Sequence, residues 1–425
     1  MYYSVERGKT RGRFYLKHRY SKMLKILICI VLIVVFTVAF NQDSEIGDYA
    51  YAIAIGIDNG ENNNLKVTIQ FAKAVNLSEG SSSEPQPSII KTVEASSIDS
   101  AFNLINSSIS KQINLSHCKT VIISEEFAKN GVSEVLYTLI NDVQVRPNVS
   151  IVISRCNSDY FIANSKPVLE NIVSKYYEIA PSSSQYTGYT SYVKIVDFFN
   201  AFTSNTCEPY AILGGINTQV QKTSSSNLSN IEKDSNVIAG ETPISKNPSS
   251  EYLGLAIFKN DKLVGEISAI DTLCHLIIIN KLESGVITIP NPLDQNSSID
   301  LSIYKQKNTK KNVEFVNNSP YITLDVAINA RILSLNNYSQ NLTQENINKL
   351  QEAINLYLKD NISRYLYKTT LDFNSDVCCF GNYAICRFKT QDDWNNYNWK
   401  DNYKNSFFKV NVSSSVKSGQ LLTQD

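Results

Sequence analysis

Two neighbouring pairs, His117-Cys118 and Cys274-His275, set an imidazole beside a thiol, the raw material for a cysteine nucleophile and its base. Neighbours on a strand point to opposite faces, so an extended 117–118 segment keeps the two side chains apart. Both histidines are therefore expected to be structural. The remaining histidine, His18, precedes an apolar stem, and two histidines beyond it cannot build a His-based metal site at useful spacing. The carboxylate pairs Glu125-Glu126 and Asp392-Asp393 sit on polar faces and read as solvated. No G-x-S-x-G occurs, and Gly is scarce, without a phosphate-cradling G-x-G-x-x-G or G-x-x-x-x-G-K-[ST]. No catalytic set, cofactor or metal site is expected.

Eight cysteines are scattered without a C-x-x-C pair. Adjacent Cys378 and Cys379 have poor geometry for bridging each other or for a tetrahedral metal site. Buried thiols are expected, with one or two bridges as the alternative. Trp394, Tyr397 and Trp399 form an Asn-rich aromatic cluster that reads as core packing, or else as a patch for a partner. His117, Lys119, Phe258 and Gly265 are expected to determine the fold before they contact anything. The Gly-Ile-Asp58 and Asp261-Lys262 turns are expected to serve turn geometry.

The elements that must position these residues follow from periodicity. Ala50–Ile57 and Leu65–Phe71 read as a hairpin, with Asn59-Gly60 supplying the positive φ of its turn. Ile89–Glu94 is a strand, leading to a helix capped by Ser97 with Ala101, Leu104, Ile105, Ser108 and Ile109 on one face. Strand Thr120–Ser124, one helix from Glu125 to Ile140, and strand Val149–Ile153 follow. Helices are expected near Val168–Ile179 and Tyr192–Phe202, around the polar break Pro181–Gly188. Residues 217–250 turn polar and mark a linker and the main domain boundary. Beyond it come a second hairpin (Tyr252–Phe258, Leu263–Ile267), a strand at Tyr321–Leu333, a helix from the Thr343 cap to Leu366, and a strand at Phe408–Val412. The helix carries the stripe Ile347, Leu350, Ile354, Leu358, Ile362.

The fold class is α+β or mixed α/β: a multidomain exported body of two or three domains, sheets covered by helices, after one N-terminal transmembrane helix. The expected divisions are a basic cytoplasmic arm at 1–23, an anchor at 24–40, α/β domains at 46–216 and 251–413 around the 217–250 linker, and a tail at 414–425. The anchor rests on the uncharged run Ile26–Phe40, preceded by eight bases and followed by acids, an asymmetry that places the N-terminus in the cytoplasm. Its fifteen residues span about 22 Å against a hydrocarbon core of about 30 Å, with Leu24 and a snorkelling Lys25 extending it. Thr37-Val-Ala39 offers a weak cleavage site for a leader, but Phe40 crowds it, so an uncleaved anchor is expected. Met23 is an alternative start. With the eight bases and one acid of the first 25 residues set aside, 32 bases face 39 acids, a mildly acidic body unsuited to nucleic acid.

The ordered landmarks resemble the Ger(x)C family, the C subunits of spore germinant receptors. Asn41 to Ala50 and Ile55-Gly-Ile-Asp58 are similar to its opening C-W-D-x-R-E-I-x-D-L-A and G-I-D strand. Leu115-Ser-His117-Cys-Lys119 through Glu125 to Gly131 resembles its L-x-H-x-K-x-x-x-x-G-E-x-L-A-x-x-G block, with Ser124 at a glycine position. Asp142–Pro147 resembles R-D-x-E-x-R, with Arg146 matching and Asn141 in place of the first arginine. Gly254 to Gly265 resembles G-x-A-V-F-K-x-D-K-L-V-G, and Asp376, Phe380-Gly381, Trp394, Trp399 and Phe407 follow the C-terminal pattern. The family's lipobox cysteine is replaced by Asn41, so no lipidation is expected, and a retained helix would take over tethering.

The resemblance implies a non-catalytic, membrane-tethered subunit needed for receptor assembly and germination. It would sit on the outer face of the inner spore membrane with two multi-pass partners, one permease-like and one with a large soluble head. His117, Lys119, Trp394 and Trp399 are its candidate partner-contact or fold-motif residues. The alternative is an exported, membrane-anchored ligand-binding protein, which predicts an apolar pocket with convergent polar groups between two bodies.

Overall fold

The computed structural model describes residues 22–33, 46–72, 88–166, 170, 172–217, 236–243, 249–294, 297–335 and 343–417. The chain divides into two compact units at Tyr49/Ala50. In the first, residues 22–33 are a helix with exposed apolar side chains, and Ile46–Asp48 makes a single 3-10 turn. Residues 34–40 of the expected anchor and Asn41 lie outside the described residues. Among the described residues no helix is long and apolar enough to cross a membrane.

The second unit, Ala50–Asp425, holds two sheets. The strands are β1 (Tyr49–Asn59), β2 (Leu65–Ala72), β3 (Ser88–Ala95), β4 (Gln112–Asn114), β5 (Thr120–Ser124), β6 (Ser150–Ser154), β7 (Tyr210–Asn217), β8 (Ser249–Lys259) and β9 (Lys262–Ile267), then β10 (Gly285–Pro290), β11 (Ser298–Val316), β12 (Ser319–Leu335) and β13 (Phe407–Lys417). The first sheet runs β3-β2-β1-β5-β6-β7-β8-β9, with β4 also pairing with β1; β1, β5, β6 and β7 are parallel. The second runs β10-β11-β12-β13, antiparallel except for the parallel β12–β13 pair. In β5 and β6 all residues are buried, as continuous apolar runs in a parallel sheet covered on both faces should be.

The expected boundary at 217–250 falls between two strands of one sheet, because β7 pairs antiparallel with β8. Residues 218–235 and 244–248 lie outside the described residues. In the stretch between them Ala239 is buried and its N–H donates to Leu253 O at 3.1 Å, while residues 236, 241 and 243 are exposed. Alternation along β8 makes it a shared wall, with Ala256 and Phe258 in one core and Leu255 and Ile257 in the other. The second core lies between the β10–β13 sheet and the helices Ala269–Ile278 and Gln344–Tyr367. It receives the buried face of β12 (Ile322, Leu324, Val326, Ile328, Ala330, Ile332) and the stripe Leu350, Ile354, Leu358, Ile362. Thr343 Oγ1 caps that long helix, accepting from Asn346 N–H.

Local details differ from the sequence reading. The first hairpin's positive φ belongs to Asn62 (53°), while Gly60 is extended, because Glu61–Asn63 forms a 3-10 turn that lengthens the loop. Leu104 is exposed; Ile98, Ala101 and Ile105 are the buried face of helix Ile98–Ser108. The helix expected over Glu125–Ile140 is two, Glu125–Asn130 and Ser133–Asn141, broken at Gly131 with φ 127°. The helices near 168–179 and 192–202 run Val173–Ile179 and Ile195–Thr203. Strand β7 has no counterpart in the sequence reading, nor have β10 and β11.

Candidate functional site

The exposed residues of the two central motifs meet at the amino-terminal ends of the parallel strands. His117 and Lys119 lie in the turn before β5, and Arg146 in the loop before β6. The turn is closed by Cys118 N–H donating to Leu115 O at 2.9 Å, and Asn114 Oδ1 accepts from Ser116 N–H at 2.9 Å. The loop braces it: Gln144 Oε1 accepts from Leu115 N–H at 2.9 Å, while Lys119 N–H donates to Ile53 O in β1 at 2.9 Å. Together with Asn148, Glu178 and Tyr192 these residues line a polar cleft of about 60 Å³. Lys119 Nζ pairs with Glu178 Oε2 at 2.8 Å; the exposed guanidinium of Arg146 has no ion-pair partner among the described residues. His117 packs edge-on to Tyr51, ring centroids 4.6 Å apart.

This cleft presents charge and hydrogen bonds and holds no catalytic pair. His117 is in a turn rather than a strand, but it still does not engage Cys118, whose thiol donates to Thr120 O at 3.4 Å and is pushed up to about 12 by burial. Ser116 and Lys119 stand at S-x-x-K spacing, yet the Ser116 hydroxyl donates to Asn114 Oδ1 and Lys119 is committed to Glu178. Glu125 pairs with Lys129; Glu126, Asp392 and Asp393 occupy first turns of helices, where the N-terminal dipole favours acids. Among the described residues no group of three His, Cys, Asp or Glu could hold a metal ion.

His275 meets a different cysteine from its neighbour. Its Nδ1 lies 2.8 Å from Tyr365 OH and 3.7 Å from Cys378 Sγ, wholly inside the second core. Burial pushes the imidazole down to about 3 and the Cys378 thiol up to about 12, so neither ionises near neutrality. This network is structural. Cys207 and Cys379 form a disulfide between residues 172 apart in sequence; Cys118, Cys274 and Cys378 are buried free thiols.

Trp394 and Trp399 are each 1% exposed and stack on each other, so their side chains belong to the core and are not available to a partner. They belong to a knot around Asp376, whose carboxylate accepts from Phe380 N–H (3.0 Å), Gly381 N–H (2.8 Å) and Trp399 Nε1–H (2.9 Å). A Cβ on Gly381 would meet Thr206 O at 2.3 Å. The hairpin motif is equally structural. Gly254 takes φ 87° against Ile267 O, Lys259 Nζ donates to Asn374 O and Lys400 O, and Gly265 admits the Phe373 ring. Asp261 and Asp58 do more than turn: each binds a segment more than 90 residues away, at Val132 and at Ser158.

In this mixed α/β body most of the motif residues are spent on long-range scaffolding, and a small basic cleft stays exposed. Residues 42–214 match the spore germination protein N-terminal domain, and residues 253–419 match the spore germination B3/GerAC-like C-terminal domain. The chain belongs to this spore germination family, Ger(x)C. It is 24% identical over 415 residues to YfkR of Bacillus subtilis strain 168, whose name assigns it to spore germination, covering 95% of this chain and 97% of that one. The crystal structure of the GerBC protein is similar at a TM-score of 0.49 and 17% identity, covering 85% of this chain and 96% of that chain.

Proposed function

We propose that this chain is the membrane-tethered C subunit of a nutrient germinant receptor and acts by docking rather than by chemistry. The observation that carries the reading is the ordered pair of spore-germination domains spanning most of the chain. The uncharged run Ile26–Phe40 with its basic arm supports an N-terminal anchor that replaces a lipid at Asn41, with the N-terminus cytoplasmic and the body outside the inner spore membrane. The short stem would hold the body at high effective concentration beside a permease-like subunit and a subunit with a large soluble head. The cleft of His117, Lys119 and Arg146 is the motif surface left for such contacts. Deletion, followed by separate germination with nutrients and with exogenous dipicolinate, tests this. Loss of the nutrient response alone is expected; an unchanged nutrient response in a strain lacking paralogues overturns the role.

A further inference from the structure

A larger cleft lies on the other side of Tyr192, between the segment 184–192 and the turn that follows helix Ala269–Ile278. Its volume is about 530 Å³, inside the range of roughly 300–1,000 Å³ typical of small-molecule sites. Lys281 and Lys305 supply two ammonium groups, and Ser184, Gln185 and Tyr304 further polar groups, over the buried Leu276 and Leu282; Glu283 is the one acid on the lining. Neither lysine has an ion-pair partner among the described residues, although the body as a whole is mildly acidic.

Hydrogen bonds and close packing hold both walls. Leu276 O accepts from Lys281 N–H (2.9 Å) and Leu282 N–H (3.2 Å), Asn280 Oδ1 accepts from Thr309 N–H (2.6 Å), and Lys305 Nζ donates to Asn280 O (3.3 Å). Opposite, Gly188 at φ 69° packs against the Leu282 side chain, and Tyr189 OH donates to Val286 O (3.0 Å). A preformed site loses little ordering entropy on binding. The contrast with two smaller clefts is informative: one of about 270 Å³, half the size, is lined by Asp99 and Asp142 with no cation, and the 60 Å³ cleft is too small for an organic molecule.

We propose that the Lys281–Lys305 cleft binds a small organic anion, a carboxylate or phosphate compound whose charge lies between the two ammonium groups and whose other polar groups meet Ser184, Gln185 and Tyr304. The assignment is independent of the receptor reading. The test is calorimetric titration of the full chain in detergent with citrate and, separately, inorganic phosphate, at constant ionic strength set with chloride. Saturable binding of at least one is expected; the arm that binds names the anionic group. The K281M/K305M variant should weaken it by about tenfold or more, the loss of charge-assisted hydrogen bonds, while K262M, on the exposed β8–β9 turn, should not. Each single lysine variant should weaken it by less than the pair, with an unchanged unliganded melting temperature. No saturable binding of either anion, equal binding by the double variant, or binding of an oligoglutamate peptide with neither small anion would overturn the proposal.

Discussion

The carboxylate of Asp58, at the end of β1, caps a helix that begins 100 residues later: its Oδ1 accepts from Ser158 N–H at 2.7 Å and its Oδ2 from Ser158 Oγ–H at 2.6 Å. Helix Ser158–Asn164 has no side-chain cap from its own N-cap residue, Asn157. Gly56, two residues earlier, leaves room for that contact, since a Cβ there would lie 2.4 Å from Ser158 Oγ. The Gly-Ile-Asp motif is thus a joint between strand and helix. Asp58→Ala should cost about 2–3 kcal/mol, a lost cap plus buried donors left unmade. Urea unfolding of D58A, S158A and the double variant measures it; simple additivity would show that the two residues do not act as a pair.

Gly131 and Asp261 join the two matched domains. Val132 N–H donates to Asp261 O at 2.9 Å, and a Cβ on Gly131 would stand 2.7 Å from Asp261 Oδ2. Gly131→Ala should destabilise by about 1–3 kcal/mol, from its φ of 127° and from the crowded carboxylate. Adding Asp261→Ala should restore only the crowding share, leaving the backbone share visible in the melting temperature.

Acid should expose the buried imidazole of His275. Burial holds its folded value at about 3, below the ordinary 6.5 of a solvated imidazole. Between those values the unfolded chain binds a proton that the folded chain refuses, so this residue's contribution to stability falls as pH drops. The slope is about 1.4 kcal/mol per pH unit. Asp376 acts oppositely: burial raises it to about 6, so its share favours the folded state toward acid. The difference in unfolding free energy between wild type and His275→Gln cancels Asp376 and should shrink steadily from pH 6.5 toward 4. A pH-independent difference would contradict the assignment.

The disulfide should matter to stability and not to fold choice. Cys207→Ser with Cys379→Ser should lower stability by about 2–5 kcal/mol, as expected for a bridge closing a long loop, while the circular dichroism spectrum keeps its shape. Unchanged stability under reducing conditions would argue that the bridge does not form.

Surface and core motif residues should separate in genetics. Arg146→Glu and His117→Ala remove exposed groups and should leave the unfolding free energy nearly unchanged, within about 0.5 kcal/mol, while impairing nutrient germination. Trp399→Ala removes a fully buried ring at a cost of about 3–5 kcal/mol and should lower protein abundance. Nutrient germination at wild-type rates in R146E would remove the cleft from the docking surface.

Much of the architecture was legible because local rules decide it. Alternation marked β12, the helical stripe marked Gln344–Tyr367, and Ser97 and Thr343 were capping residues in fact as in pattern. β11 was missed because a mixed polar strand takes its stability from cross-strand pairing, which composition does not display, and β7 and β10 because their short apolar runs are interrupted by Gly214-Gly215 or bounded by Gly285 and Pro290. The break at Gly131 was missed because an apolar stripe continues across it; only Asp261, distant in sequence, shows why a residue without a Cβ stands there.

By itself the sequence determined the alternation of strands and helices, the apolar run with its basic arm, and the ordered motifs that assign the chain to its family. Tertiary structure alone decided what the motif residues are for. It put Trp394 and Trp399 inside, paired Cys207 with Cys379, and made β8 the wall between two cores across a stretch that reads as a linker. It also gathered His117, Lys119 and Arg146 at one strand edge and Lys281 with Lys305 at another. The reason is physical: periodicity encodes which face of an element is apolar, whereas the partner each face meets depends on sheet order and long-range register, which no local window contains.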